Sequence, residues 1–251
     1  KTDILIISSG IEKSVLEAKE LISKGKIKKA VVTHCSPNSD NEIVLGVNEE
    51  TITKKHNLIS NSICDANAIA HIIKWLHNEF EIISGSLTTL HPWLGYQNLL
   101  DNFSFSHSNP GLPWPDYALA RNSTDNLIPK KTTALSAVEK VFPDIKNKLL
   151  SFSYRVPTNI VSSSDLTLEL KKEVNLQELN NFLIKKSNES KYVTVNHESL
   201  VSQDYKRNES SAIIDMQWTQ KKGNTCKIIL WYDNEWGYSS RAIDLVKLLI
   251  Q

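Results

Sequence analysis

The chain opens on a strand, a helix and a second strand, and this pattern restricts the fold more than any other feature of the sequence. Residues 3 to 8 (DILIIS) form an apolar run, and residues 12 to 23 place apolar side chains at helical spacing. A second apolar run, KKAVVTH, covers residues 28 to 34. Apolar runs separated by an amphipathic helix are typical of a parallel sheet covered by helices on both faces. We expect IVLGV at 43 to 47 and NLIS at 57 to 60 to add short strands to this sheet.

The rest of the chain predicts a second region of the α+β class. A helix is expected from Asp65 to Asn78, because its isoleucines and leucine recur along one face, and a strand follows at residues 81 to 91. Further helices are expected at 132 to 142, 175 to 187 and 234 to 250, and further strands at 148 to 156, 160 to 170, 211 to 218 and 225 to 233. The strand at 160 to 170 alternates apolar and polar residues, which predicts a mixed or antiparallel sheet with one packed face.

A stretch of forty residues, 92 to 131, is predicted to be a long ordered loop. It is rich in Pro, Asn, Ser and Trp. Loops of this length inside a compact domain are usually functional, interfacial or disordered. Its aromatic residues favour burial over disorder; they are Trp93, Tyr96, Phe103, Phe105, Trp114 and Tyr117.

Composition and charge argue against several classes of partner. Lys and Arg number 29 against 28 Asp and Glu, so the sequence predicts no nucleic-acid partner. No run of about 18 apolar residues occurs, so no membrane partner is predicted. The three cysteines form no CxxC pair and have no histidine at metal-ligand spacing, which favours neither a disulfide framework nor a zinc site. A reducing cytoplasm is the expected compartment.

Three residues stand out as candidates for chemistry. Cys64 falls at the predicted start of a helix, where backbone N–H groups and the helix dipole stabilise a thiolate and lower the thiol pKa. His91 ends the strand after that helix, from which it could reach the thiol as a base. Arg155 lies in a strand, from which a guanidinium can bind a phosphate or carboxylate through two hydrogen bonds. The alternatives are a small buried cysteine, one of the other six histidines as the base, and an ordinary ion pair for the arginine.

Several blocks of sequence resemble the glyceraldehyde-3-phosphate dehydrogenases. SNSICDAN at 60 to 67 is similar to their catalytic cysteine segment, SNASCTTN, and SGSLTTLH at 84 to 91 is similar to the segment that ends in their catalytic histidine. Further matches in the same order are NLIPKKTTALSAVEKVFPDIKNKL (126 to 149), YRVPTNIVSSSDLTLEL (154 to 170) and WYDNEWGYSSRAIDLV (231 to 246). The resemblance covers essentially the whole chain.

The resemblance implies a partial Rossmann-type α/β sheet followed by an α+β catalytic domain. The implied division is 1 to 62 for the nucleotide-binding part, 63 to 232 for the catalytic domain, and 233 to 251 for a helix that returns to the first domain. The implied reaction is oxidation of a small, phosphorylated aldehyde by NAD or NADP, and the implied assembly is a homo-tetramer.

The same resemblance assigns roles to individual positions. Cys64 would be the nucleophile and His91 its acid and base. Arg155, Thr132, Thr133 and Arg121 would bind the substrate or phosphate, and Asn234, Ser9 and Gly10 would contact the cofactor. No metal is implied.

Some positions depart from the family pattern. Ile63 and Asp65 stand where a serine and a threonine flank the cysteine, and a carboxylate there would repel phosphate and raise the thiol pKa. Leu94 replaces a threonine after the histidine, and Thr133 replaces the glycine of the STGA segment. Two alternatives therefore stay open: an aldehyde dehydrogenase whose acyl acceptor is not inorganic phosphate, and a non-catalytic structural or regulatory relative.

A dinucleotide site of the Rossmann type uses a turn with closely spaced glycines. With eight glycines, none of them in a GxGxxG pattern, the chain shows no pyrophosphate-binding turn. The chain begins with Lys1, and its only methionine is Met216. We expect a preceding segment to carry that turn.

Overall fold

The first part of the chain forms a parallel sheet, as seen in a computed structural model that describes residues 2–105 and 116–250. Its strands are β1 (Thr2–Ile7), β2 (Ile27–Val32), β3 (Asn41–Glu42) and β4 (Leu58–Ser60), in the spatial order β1-β2-β4-β3. All three pairings are parallel. Helix α1 (Glu12–Ser23) connects β1 to β2 and buries Val15 and Ala18. The predicted strand–helix–strand unit is confirmed.

Residues 43 to 47 are not the strand that the sequence predicts, because β3 ends at Glu42. The chain turns here instead, with a hydrogen bond from the Val47 amide to the Val44 carbonyl oxygen at 2.9 Å. The side chain of Asn48 accepts from the Val44 amide and donates to the Glu42 carbonyl oxygen, at 2.9 Å in both cases. Side-chain hydrogen bonds thus satisfy the backbone in place of a strand partner, while the apolar side chains stay buried.

The second sheet has seven strands within the described residues, in the order β6-β7-β5-β8-β11-β10-β9. The strands are β5 (Ile82–Pro92), β6 (Ile128–Lys130), β7 (Leu149–Val156), β8 (Ser162–Leu170), β9 (Val193–Asn196), β10 (Ala212–Lys222) and β11 (Thr225–Tyr232). The pairs β5–β7 and β9–β10 are parallel, and the other neighbours are antiparallel. The prediction of a mixed sheet is confirmed. The short strands β6 and β9 were not predicted, because three or four residues carry too little periodicity.

The helices of the second part are α2 (Cys64–Phe80), α3 (Ala134–Val141), α4 (Leu176–Glu189) and α5 (Trp236–Ile250). Helix α2 is the centre of the largest apolar core, where Ile69, Ile72, Ile73 and Leu76 are fully buried beside leucines of the mixed sheet. Truncating one such side chain to alanine typically costs about 2–5 kcal/mol. The start of α2, where the candidate nucleophile lies, is therefore held rigidly.

Helix α5 packs back against the first sheet. Leu245 and Leu249 share a buried apolar cluster with Val31, Ile43 and Ile59. The two sheets are thus connected by packing as well as by the chain. Among residues 2–105 and 116–250, no helix is both long enough and apolar enough to cross a membrane.

In the predicted loop at residues 92 to 131, several aromatic side chains that were expected to be buried are exposed. Phe103, Phe105 and Tyr117 are exposed, with Tyr117 at 83%, whereas Trp93 and Tyr96 are half-buried. Trp114 lies outside the described residues. The prediction was wrong for the three exposed residues, because aromatic content does not determine whether one chain can cover a side chain by itself.

Candidate active site

A cavity of about 1470 Å³ lies where the elements of the two sheets meet. Thr33 lines it from the carboxyl end of β2, while Cys64 and Asp65 line it from the start of α2. His91 from β5 and Arg155 from β7 face the same space, where they are direct neighbours in the parallel register. Ligands of α/β proteins bind outside the carboxyl ends of parallel strands, so this is the expected place for a site.

Cys64 is the first residue of α2, and the extended backbone of Ile63 (φ −128°) starts the helix. The residue as a whole is half-buried. Burial raises the pKa of the Cys64 thiol well above its ordinary value, and the adjacent Asp65 carboxylate raises it further. Backbone N–H groups and the charge of Arg155 act in the opposite direction but are outweighed. The expected lowering of the thiol pKa by the helix start is therefore present but is outweighed by burial, and the expected raising effect of Asp65 is also present.

Asp65 is the central hydrogen-bond acceptor of the site. Its Oδ1 lies 2.6 Å from Nε2 of His91 and 2.5 Å from the hydroxyl oxygen of Tyr232. Burial alone would raise the pKa of Asp65, but the charge and hydrogen bond of His91, with smaller contributions from Tyr232 and Arg155, bring it below its usual value. Asp65 is thus an ionised carboxylate, which can only accept hydrogen bonds.

This network settles which nitrogen of His91 carries a proton. Because the Asp65 carboxylate can only accept, Nε2 of His91 must donate. The other ring nitrogen, Nδ1, lies 2.9 Å from the hydroxyl oxygen of Ser162. The hydrogen bonds of His91 in the described part of the chain therefore go to Asp65 and Ser162. The lone pair that a base would offer to the thiol is occupied by a proton.

The thiol, the carboxylate and the imidazole nevertheless form one cluster. One donor atom from each of Cys64, Asp65 and His91 lies within 4.8 Å of the other two. The sequence did not show this cluster, because 26 residues separate Asp65 from His91 and only the fold brings them together.

The predicted phosphate-binding residues divide into two groups. Arg155, Thr132 and Thr133 line the cavity, together with Lys131. Arg155 is 9% exposed, and its Nε is buried without a hydrogen-bond partner among the described residues. Arg121 lies outside this lining, because its guanidinium is bound to the Asp101 carboxylate at 2.9 Å on the surface.

Of the predicted cofactor-binding residues, some line the cavity and others do not. Asn234 lines the cavity, and its Oδ1 is a buried acceptor with no partner among the described residues. Ser9 and Gly10 follow the carboxyl end of β1 and are not part of the lining that the described residues define. Ser9 instead accepts from the Ile11 amide at 3.3 Å.

Tyr232 and Ser162 are residues of the site that sequence reasoning missed. Tyr232 belongs to the quoted WYDNEWGY block and Ser162 to the SSSD block, so both lay in recognised segments. The sequence around these two residues does not indicate their hydrogen bonds, because Tyr232 is 167 residues from its partner Asp65 and Ser162 is 71 residues from its partner His91.

Comparison with known proteins defines the class to which this fold and site belong. Residues 63–234 match the sequence profile described as "Glyceraldehyde 3-phosphate dehydrogenase, C-terminal domain". The chain belongs to the glyceraldehyde-3-phosphate dehydrogenase family, whose named members are oxidoreductases acting on an aldehyde group.

Individual relatives extend the similarity over nearly the whole chain. The glyceraldehyde-3-phosphate dehydrogenase of Priestia megaterium is 37% identical over 98% of this chain and 72% of the relative. Glyceraldehyde-3-phosphate dehydrogenase 2 of Bacillus subtilis is 36% identical over 98% of the chain and 70% of the relative. The glyceraldehyde-3-phosphate dehydrogenase of Geobacillus stearothermophilus is 37% identical over 97% of the chain and 70% of the relative.

Proposed function

We propose that the chain carries the catalytic site of an NAD(P)-dependent dehydrogenase that oxidises a small phosphorylated aldehyde through Cys64, with glyceraldehyde 3-phosphate as the first candidate. The observation that carries this proposal is the cluster of Cys64, Asp65 and His91 beside the buried cation Arg155 in one cavity. The names of the relatives support the choice of substrate.

The chemistry of the thiol follows from these neighbours. The sulfur of Cys64 adds to the aldehyde carbon and forms a hemithioacetal. As the carbon is oxidised, the hydroxyl proton leaves to the Asp65 carboxylate, which Nε2–H of His91 holds in place, and passes from there to water; a thioester on Cys64 remains. A bound nicotinamide would supply the acceptor for the hydride.

Arg155 is the proposed anchor for the phosphate of the substrate. Its Nη1 lies 3.5 Å from the Pro92 carbonyl oxygen, and its Nε is free of partners among the described residues, so the guanidinium keeps donors for an anion. Thr132 and Thr133 are proposed as further donors from the same wall of the cavity. We leave Arg121 out of the binding set because Asp101 already holds its side chain.

The cofactor is proposed to enter from the side of the first sheet. The unpartnered Oδ1 of Asn234 fits a carboxamide N–H group of a nicotinamide. Ser9 and Gly10, after the end of β1, are proposed to contact the cofactor farther from the thiol.

The division of the chain and its assembly are also proposals. We propose a nucleotide-binding part at 1 to 62, a catalytic domain at 63 to 232 and a returning helix at 233 to 251, supported by the packing of α5 on the first sheet. A homo-tetramer is proposed because the loop exposes large apolar side chains that a second copy would cover, among them Phe103 and Tyr117. The unpaired cysteines support a reducing, cytoplasmic location.

The test is the reduction of NAD+ and NADP+ by the full-length protein with glyceraldehyde 3-phosphate and with unphosphorylated aldehydes. Cys64→Ser is expected to abolish reduction. Cys35→Ser is the matched control, because Cys35 is also half-buried and donates to Glu42 at 2.8 Å, a hydrogen bond that serine can keep. Equal activity of the wild type and the Cys64→Ser variant would disprove the proposal.

A further inference from the structure

We propose that Asp65 acts as a general base that delivers water to the thioester on Cys64, so that the enzyme releases a free carboxylic acid rather than an acyl phosphate. This inference rests on the proposed function, because the thioester must first be formed. The proposal adds a hydrolytic half-reaction to the site. It also gives a role to Asp65, which stands where the family pattern has a threonine.

The negative charge of Asp65 favours water over phosphate as the acceptor of the acyl group. A buried carboxylate lies within 4.8 Å of the sulfur that carries the acyl group. An attacking phosphate dianion would have to approach this negative charge at close range, in surroundings that screen it poorly. Water carries no charge and meets no such barrier. The hydroxyl groups that the family places on both sides of the cysteine are replaced here by Ile63 and Asp65.

The hydrogen bonds leave Asp65 as a proton acceptor beside the thiol. Nε2 of His91 donates to Oδ1 of Asp65, and Nδ1 lies against Ser162, so His91 offers no lone pair toward the sulfur. Tyr232 donates to the same carboxylate oxygen. His91 and Tyr232 thus hold the carboxylate in place, and Asp65 itself lines the cavity. In this step His91 and Tyr232 are positioning residues.

The step balances without a further reactant. Asp65 takes one proton from a water molecule while the water oxygen bonds to the acyl carbon. The bond between that carbon and the Cys64 sulfur then breaks, and the thiolate takes the proton from Asp65. One water is consumed, one carboxylic acid leaves, and the Cys64 thiol and the Asp65 carboxylate are restored. No atom is oxidised or reduced in this half-reaction.

The experiment acylates the full chain with p-nitrophenyl acetate, which needs no cofactor. The burst of p-nitrophenolate reports acylation of Cys64, and the steady rate that follows reports deacylation. We expect wild-type deacylation to be unaffected by added phosphate and to yield acetate. Asp65→Asn keeps an acceptor for His91 and Tyr232 but loses the base, so the burst should remain while deacylation slows about 100-fold or more.

Controls separate this role from a structural one. Glu235→Gln removes an exposed carboxylate at the edge of the same cavity and should deacylate within about twofold of the wild type. Because the pKa of Asp65 is low, the wild-type deacylation rate should stay level from pH 8 down to about pH 5. This profile needs no variant and tests the base even where Asp65→Asn folds poorly.

Two results would overturn the proposal: a deacylation rate that rises in proportion to phosphate, or an Asp65→Asn variant that deacylates as fast as the wild type. Reduction of NAD(P)+ by glyceraldehyde 3-phosphate is measured separately. A phosphate-dependent deacylation with normal, Cys64-dependent reduction would remove the hydrolytic role and leave the proposed function intact.

Discussion

Replacing Asp65 by asparagine should make the Cys64 thiol more reactive toward iodoacetamide. The substitution removes one negative charge and keeps an oxygen that can accept from His91. The donor atoms of Asp65 and Cys64 lie within 4.8 Å of each other. At that separation and an effective dielectric constant of about 20, the repulsion between carboxylate and thiolate is about 3 kcal/mol, or roughly two pKa units.

This shift converts to a moderate change in rate. A thiol pKa lower by about two units raises the thiolate fraction near neutral pH about 100-fold. The less basic thiolate is also less nucleophilic, which costs about tenfold. Alkylation of Cys64 at pH 7 should therefore accelerate about tenfold. The increase is limited because burial, the largest cause of the raised pKa of Cys64, is unchanged by the substitution.

The assay measures the alkylation rate against pH and identifies the modified residue by mass spectrometry. The wild-type midpoint should lie above about 8.5, the value of a free thiol, and the Asp65→Asn midpoint should lie lower. Glu235→Gln, which removes an exposed carboxylate at the cavity edge, should leave the midpoint in place. An Asp65→Asn midpoint equal to or above the wild-type value would refute the assigned effect of the carboxylate. The same variant is expected to be slower in deacylation, and a general loosening of the site would not produce these opposite changes.

Three further predictions concern stability and specificity. Gly85→Ala should lower Tm by about 5 °C in a thermal scan, because the new Cβ would lie 2.4 Å from the Thr167 carbonyl oxygen of the paired strand; an unchanged Tm would contradict this packing. Burial lowers the pKa of His71 to about 4, so the unfolded chain takes up the proton first and stability is lost as pH falls from about 6.5 to about 4. This loss should be about 3 kcal/mol by urea unfolding and should be absent in His71→Gln. Arg155→Lys should raise KM at least tenfold for a phosphorylated aldehyde, through loss of paired hydrogen bonds, and leave an unphosphorylated aldehyde unaffected; equal changes for both substrates would exclude a phosphate-binding role.

Local patterns in the sequence determined most of the secondary structure and the position of the candidate nucleophile. Helix α1 has the predicted bounds, and α2 begins at Cys64, one residue before the predicted start. These elements are readable because the periodicity of apolar side chains follows directly from backbone geometry. Ordered motifs likewise identified the family, since each motif is a short continuous segment.

Only the tertiary structure decided which groups touch within the site. Asp65 was visible as a departure from the family pattern, but its hydrogen bonds to His91 and Tyr232 join residues 26 and 167 positions apart. The same limit explains the turn at residues 43 to 47, where the side chain of Asn48 replaces a strand partner. The charge and protonation of a buried group depend on neighbours brought in by the whole fold. The sequence therefore located the thiol, whereas the fold determined its pKa and the hydrogen-bonded carboxylate beside it.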